Sequence, residues 1–188
     1  YQGSFVYERN GSFSTHDIWH RVRDGKVSER LLQLDGTAHE VVRVDGKLRC
    51  VSGPLVSEVG PAPDSAPRVL YPLKLMRWYD LSVTGNSRVA DRDAVIVTLS
   101  PRDQHRYGFE LHLDKRTGLP LRSLMLNDKA QLLERFQMTR LDTNDLPSDA
   151  DLRASAACKP VESVSVRSTE SVAGWRSDWL PPGFELIN

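Results

Sequence analysis

Seven short turn signals, closely spaced, constrain this chain more than any other feature. Asn10-Gly11, Asp24-Gly25, Asp35-Gly36, Asp45-Gly46, Gly85-Asn86, Thr117-Gly118 and Asn127-Asp128 punctuate the first 140 residues. Asn-Gly and Asp-Gly readily take the positive φ angles that tight hairpin turns need. The segments between them run to about 8–12 residues, the spacing of an antiparallel meander.

The segments alternate as strands should. From Phe13 to Val22, one face carries His16, Ile18, His20 and Val22, and the other Phe13, Thr15, Asp17 and Trp19. Neither face is purely polar, so this sheet is expected to have material on both sides. A strand opening at Tyr1, then Ser28 to Leu34, Glu40 to Val44 and Lys47 to Ser52, complete a first group of five. A second group comprises Tyr79 to Val83, Arg88 to Ser100, Gln104 to Leu113, Leu119 to Leu126 and Leu132 to Leu141. Between the groups, Gly53 to Pro72 carries five prolines and little periodicity. It is long for a structureless connection and reads as a functional loop ending in a short helix at Leu73 to Trp78. About ten strands in one meander can curl around a helix or a ligand, which makes the fold class mainly β.

The remaining organisation follows from length and charge. The 188 residues suit one full domain plus part of another. Residues 1–141 form the sheet domain. Residues 142–174, rich in Ser, Thr, Asp and Ala, read as a linker or surface-hugging tail. Residues 175–188 turn apolar again and read as the start of a truncated second domain. The absence of an initiator methionine suggests an N-terminus trimmed inside a strand. Lys plus Arg and Asp plus Glu each number 25, so no global field draws in nucleic acid or anionic membrane. No run approaches the ~18 apolar residues of a membrane span.

Chemistry is sparsely signalled. His16 and His20 share a strand face but lie roughly 13 Å apart, too far for one zinc ion. Nucleophile-elbow, phosphate-loop and dinucleotide fingerprints are absent, so no catalytic residue, metal ligand or cofactor is assigned. Trp19, Leu32, Leu34, Met76, Trp78 and Tyr79 are the candidates for lining a concave apolar cavity, or for packing on a helix that fills it. Arg21, Arg23, Arg102 and Arg106 are candidates for head-group or partner contacts, against the plainer reading of cross-strand pairs on a solvated face. Cys50 and Cys158 could bridge in an oxidising compartment, closing a loop worth roughly 3–5 kcal/mol, or remain thiols in the cytosol.

The ordered segments YQGSFVYERNGSFSTHDIWHRVRDGKVSERLLQLDG, EVVRVDG, PRDQHRYGFELHLDKRTGLPL, QLLERFQMTRL and WLPPGFEL together resemble the MucB/RseB family. That resemblance implies an unclosed, strongly curved antiparallel sheet, a half-barrel with a few helices in its concavity, similar to the lipoprotein carriers LolA and LolB. It implies a periplasmic location, which favours the Cys50–Cys158 bridge. It implies a negative regulator of an envelope-stress sigma factor of the sigma-E/AlgU type, acting on a MucA/RseA-like anti-sigma factor. The regulator would bind the anti-sigma factor's periplasmic domain, shield it from regulated proteolysis and be released by lipid or lipopolysaccharide. Alginate synthesis is an output in one branch of the family, and homo-oligomerisation stays open. The alternative is a periplasmic lipoprotein or lipid carrier of the LolA/LolB type. A carrier needs no second domain, so the tail favours the regulator, and the missing nucleophile motif disfavours a hydrolase.

Overall fold

The computed structural model describes residues 1–36, 39–52, 72–161 and 179–184. The expected loop over residues 53–71 and most of the segment 162–188 lie outside them. Eleven strands form one antiparallel sheet. In chain order they are β1 (Gln2–Arg9), β2 (Ser12–Arg23), β3 (Lys26–Gln33), β4 (Glu40–Val44), β5 (Lys47–Val51), β6 (Tyr79–Val89), β7 (Arg92–Pro101), β8 (Gly108–Asp114), β9 (Pro120–Leu126), β10 (Leu132–Asp142) and β11 (Lys159–Pro160). One short helix, α1 (Pro72–Leu75), precedes β6. Among the described residues it is the only helix, and further helices expected in the concavity do not fall within them.

The turn chemistry places most strand ends. Asn10-Gly11, Asp24-Gly25 and Asp45-Gly46 all have two successive positive φ angles, the signature of two-residue type I′ hairpins. Asp45 adds a side-chain acceptor for the Val27 amide at 2.8 Å. Gly85-Asn86 is different. In sequence it reads as a strand end, but β6 runs straight through it with a register shift between Val83 and Gly85. The turn lies at Ala90-Asp91, where φ is 49° and 61°. Asp91 accepts a hydrogen bond from Arg88 there, which ties the turn to β6. Aspartate tolerates the left-handed region because its short polar side chain can hydrogen-bond locally. Ala90 has no such side chain and takes the angle that the two-residue turn demands.

The sheet order is β11-β5-β4-β3-β2-β1-β10-β9-β8-β7-β6. Two meanders, β1–β5 and β6–β10, are therefore joined by the pairing of the first strand with the tenth. That seam runs from Gln2↔Asp142 to Arg9↔Glu134 with one shift between Ser4 and Phe5. Gly3 sits beside the shift because a Cβ there would strike the Arg140 carbonyl and come within 2.7 Å of Met138. Across the seam Arg9 pairs with Glu134 at 3.1 Å and Glu8 with Arg135 at 3.4 Å.

The core shows that the sheet bends. Phe5, Val89, Ala94, Leu121 and Met138 form one buried cluster, joined by Tyr7, Ile18, Leu31, Phe136 and Leu141. In the sheet order β7, β8 and β9 separate β6 from β10. A flat sheet would hold those two strands about 19 Å apart, yet they touch. The sheet is therefore strongly curled. On β1 and β10 the cluster lies on the face that bears Phe5, the inner face, and at the other end of the sheet Val89 and Ala94 join it from the face that also carries Ser87 and His112. The sheet remains unclosed, with β6 and β11 as its two edges.

The segment from Asp142, expected to be a linker or a surface-hugging tail, is docked on the sheet as far as Val161. Arg21 donates to the Pro147 carbonyl at 2.9 Å and to Asp149 at 2.6 Å. Arg30 donates to the Asp151 carbonyl at 3.0 Å and to Glu40 at 2.7 Å. Glu40 is 1% exposed and also accepts the Ser155 amide at 3.1 Å and the Ser155 hydroxyl. A disulfide joins Cys50 to Cys158 across Cα atoms 5.5 Å apart. β11 then pairs with β5, Lys159 opposite Val51. The tail's Ser, Thr and Asp content resembles a solvated linker, but here several of those groups are hydrogen-bond partners for strand residues.

Burial opposes ionisation of Glu40, yet the Ser155 and Arg30 hydrogen bonds outweigh it and hold the carboxyl below its usual range. A carboxylate depressed in the folded state lends stability that is complete above its unfolded value and lost as pH falls through the folded one. The clamp should therefore hold from neutrality to about pH 4 and fail below it, measured as accelerated amide exchange over residues 147–158. Glu40→Ala should cost about 3–5 kcal/mol in urea denaturation at pH 7, because it leaves Arg30 buried without its partner. Cys158→Ser should cost a similar amount, the bond closing a separation of 108 residues, for which loop entropy gives about 5 kcal/mol at most.

Candidate binding site

Strand parity and the observed curl together define the inner face. On β1 it carries Phe5 and Tyr7, and their partners across the ladders include His16 on β2, then Met138 and Phe136 on β10. Ile18 and Leu31 continue it on β2 and β3. On the other meander the register sets Phe109 opposite Met125 and Leu99, and Leu111 opposite Val97. Leu81 and Val83 extend this apolar surface to the β6 edge, where both are exposed.

This face holds an apolar pocket. Tyr1, Phe5, Ile18, Leu119, Pro120, Phe136, Met138 and Leu141 line it. With a cavity volume of about 70 Å³, it lies well below the ~300–1,000 Å³ typical of small-molecule sites. It can take the tip of an apolar side chain or a few carbons of an acyl chain, but not a whole lipid. Its rim is polar and stacked. Tyr1 lies flat on His20 with ring centroids 4.8 Å apart, and His20 meets Glu29 at 3.0 Å. The His20 hydrogen bond holds the Glu29 carboxyl below its ordinary value against the opposing effect of burial. Phe5 stacks on His16 at 4.8 Å. Burial pushes the His16 imidazole below its usual value, and Asp35 opposes that. Among the described residues, His16 Nδ1 is buried without a hydrogen-bond partner. The pocket thus offers apolar contact with little fixed charge.

The six residues expected to line a cavity are dispersed. Trp19 lies on the outer face, under the Arg30 guanidinium at 4.9 Å. Leu32 shares that outer face, opposite Asp17 and Glu40. Leu34 and Met76 are half exposed. Trp78 lies under Arg106 at 4.2 Å. Tyr79 alone faces inward, edge-on to Phe109 at 6.3 Å. The four arginines divide between opposite ends of the strands. Arg21 is committed to the docked tail, and Arg23 is exposed at the end of β2. Arg102 pairs with Asp80 at 2.7 Å. Arg106 pairs with Asp103 and is nearly buried.

Sequence reasoning passed over the lining residues Phe5, Phe136 and Met138. Their signal was present: Phe136 and Met138 share parity in the alternating LLERFQMTRL segment. It also passed over the Arg30–Glu40–Ser155 clamp, in which Glu40 lies 10 residues from Arg30 and 115 from Ser155.

One polar chain on the second meander invites a catalytic reading. His112, 2% exposed, meets the Ser87 hydroxyl at 2.6 Å through Nδ1 and Glu110 at 2.8 Å through Nε2. The small Ala94, opposite Ser87 on the intervening strand, lets the ring reach across from β8 to β6. By register His112 has the opposite parity to Leu111, and no member of this chain lines the pocket. The chain satisfies both nitrogens of a buried ring, which is what a structural histidine needs. Among the described residues no group of three or more His, Cys, Asp or Glu could hold a metal ion, and no helix is long and apolar enough to cross a membrane.

Comparison with known proteins accords with this geometry. The chain is 58% identical over 187 residues to the sigma factor AlgU regulatory protein MucB of Pseudomonas aeruginosa, covering 99% of this chain and 59% of that protein. It is 27% identical over 194 residues to the sigma-E factor regulatory protein RseB of Escherichia coli, covering 100% of this chain and 61% of that protein. The chain thus spans about three fifths of the length of these relatives. Among solved structures, the Pseudomonas aeruginosa MucA/MucB complex superposes with a TM-score of 0.84 at 57% identity, over 97% of this chain and 61% of that one. An uncharacterised conserved protein from Thermus thermophilus shares the fold at a TM-score of 0.55 and 16% identity, over 83% of this chain and 86% of that one. The profile of the MucB/RseB N-terminal domain matches residues 1–160, ending at the last residue of β11. The chain belongs to the MucB/RseB family, and its curled sheet is that family's N-terminal domain.

Proposed function

We propose that this chain is the sheet domain of a periplasmic negative regulator of an envelope-stress sigma factor. The regulator binds the periplasmic part of a membrane-spanning anti-sigma factor and shields it from the protease that would start its destruction. Lipid or lipopolysaccharide reverses that binding. The observation that carries this reading is the high identity to MucB, whose solved structure is a complex with MucA. Two features of the chain support it. The disulfide suits an oxidising compartment. The inner face is a broad apolar surface with a small pocket, suited to part of an acyl chain rather than to a whole lipid.

The mechanism is one of linkage. A lipid can release the anti-sigma factor only by as much as it prefers the free regulator over the bound one. Insertion of an acyl segment against Phe136 and Ile18 would change the packing of the β1–β10 seam. Coupling through that seam gives the lipid a differential affinity without any covalent step.

The test uses the full-length protein, the periplasmic domain of the cognate anti-sigma factor and the initiating protease. Protection of the anti-sigma domain, lost on adding lipopolysaccharide fragments, is the expected result. Full cleavage in the presence of saturating regulator would refute the proposal. Phe136→Ala should weaken lipid fragment binding about tenfold, the loss of a half-buried aromatic contact, while leaving anti-sigma binding in the absence of lipid within about twofold. Isothermal titration of both ligands reads the two effects separately.

A further inference from the structure

Residues 179–184 (Trp-Leu-Pro-Pro-Gly-Phe) lie against the loop end of the sheet. We infer that Trp78 and the β7–β8 loop form a built socket for an aromatic–proline–glycine segment, occupied by this chain's own residues 179–184. The socket fixes the direction in which the chain leaves the sheet domain.

Arg106 is its centre. The guanidinium lies over the Trp78 ring at 4.2 Å and over the Phe184 ring at 4.6 Å. Its edge donates to the Asp103 carboxylate on one side and to the Pro182 carbonyl on the other. An arginine on a surface loop is ordinarily solvated, yet this side chain is 7% exposed. A planar cation over two aromatic rings, with its edge in hydrogen bonds, uses all that distinguishes arginine from lysine. Asp103 is held for this task, because its other oxygen accepts the His105 amide at 2.9 Å. The His105 ring meets Trp179 edge-on at 5.4 Å.

The segment is shaped to fit. Gly183 has φ +81°, and a Cβ there would collide with the Trp78 ring, lying 2.6 Å from Cε2. The glycine is thus required twice, by its backbone angle and by the ring against it. Pro181 and Pro182 stiffen the backbone before docking, which lowers the ordering cost. The Phe184 amide donates to the Pro181 carbonyl at 3.1 Å and turns Phe184 back onto Arg106. Arg106 is a positioning residue, and the socket stands at the opposite end of the strands from Tyr1 and its pocket. It operates whatever the inner face binds.

Hydrogen exchange on the whole chain tests this. In Gly183→Ala, exchange over both 102–107 and 179–184 should rise at least about tenfold, the loss of the Arg106–Phe184 cation–π contact and the Arg106–Pro182 hydrogen bond, with the sheet strands unchanged. A synthetic peptide of residues 175–188 added in trans should then restore protection of 102–107. Arg106→Lys should behave as Gly183→Ala does, because the charge is kept and the plane is lost. Unchanged exchange in Gly183→Ala would overturn the socket, as would a rise confined to 179–184. Trp78→Ala provides a second route to the same readout from the sheet side. Wild-type protection that grows with protein concentration would overturn the assignment of the occupant, since a second copy would then be filling the socket.

Discussion

The structure depends on the pairing of β1 with β10. Each meander is a set of hairpins that could form from local sequence alone, and the main buried cluster draws on both. The seam brings Phe5 of one beside Met138 and Phe136 of the other, and the curl carries Val89 round to join them. Burial of this cluster is what rewards the bending of the sheet. Ladders supply register and direction, but the cluster decides that the face bearing Phe5 is the inside. The pocket exists because the cluster stops short of the end of the seam, at Tyr1, Leu119 and Leu141.

The docked tail is a second layer built on the first. Its anchors, Arg21, Arg30 and Glu40, are residues of the first meander that point to the outer face. The same parity that sends Phe5, Ile18 and Leu31 inward sends Trp19, Arg21 and Arg30 outward. Inner apolar surface and outer clamp are therefore not independent. A register slip of one residue would exchange them, which is why the register is so strongly specified.

Much of this was legible in the sequence. The hairpin dipeptides placed most strands, and the alternation in residues 13–22 sorted side chains correctly into two sets. Alternation says which side chains share a face but carries no sign for which face curls inward. Trp19 and Leu32 were therefore candidates for a cavity that lies on the side of Ile18 and Leu31. Gly85-Asn86 misled because a glycine in a strand can mark a bulge as readily as a turn. The tail stayed open between a linker and a surface-hugging segment because Ser and Asp look the same in sequence whether they meet water or a buried arginine. The disulfide partners are the only two cysteines, but proximity between residues 108 apart is a property of the fold. The family resemblance carried the architecture. The socket around Arg106 could not be read from either source, since its members come from the exit of α1, a loop and a distant segment.

The pairing of β11 with β5 has a consequence for self-association. A sheet with two bare edges can add copies of itself indefinitely and grow into a filament, whereas one bare edge permits at most a closed pair. Among the described residues, β11 replaces β5 as one edge, and it is only two residues long and ends in Pro160, a poor template for a further strand. The Cys50–Cys158 bond keeps that strand in place. Two residues of strand and one covalent bond thus shorten the edge to which a further strand could add: with the bond cut, the five residues of β5 would be offered in place of the two of β11.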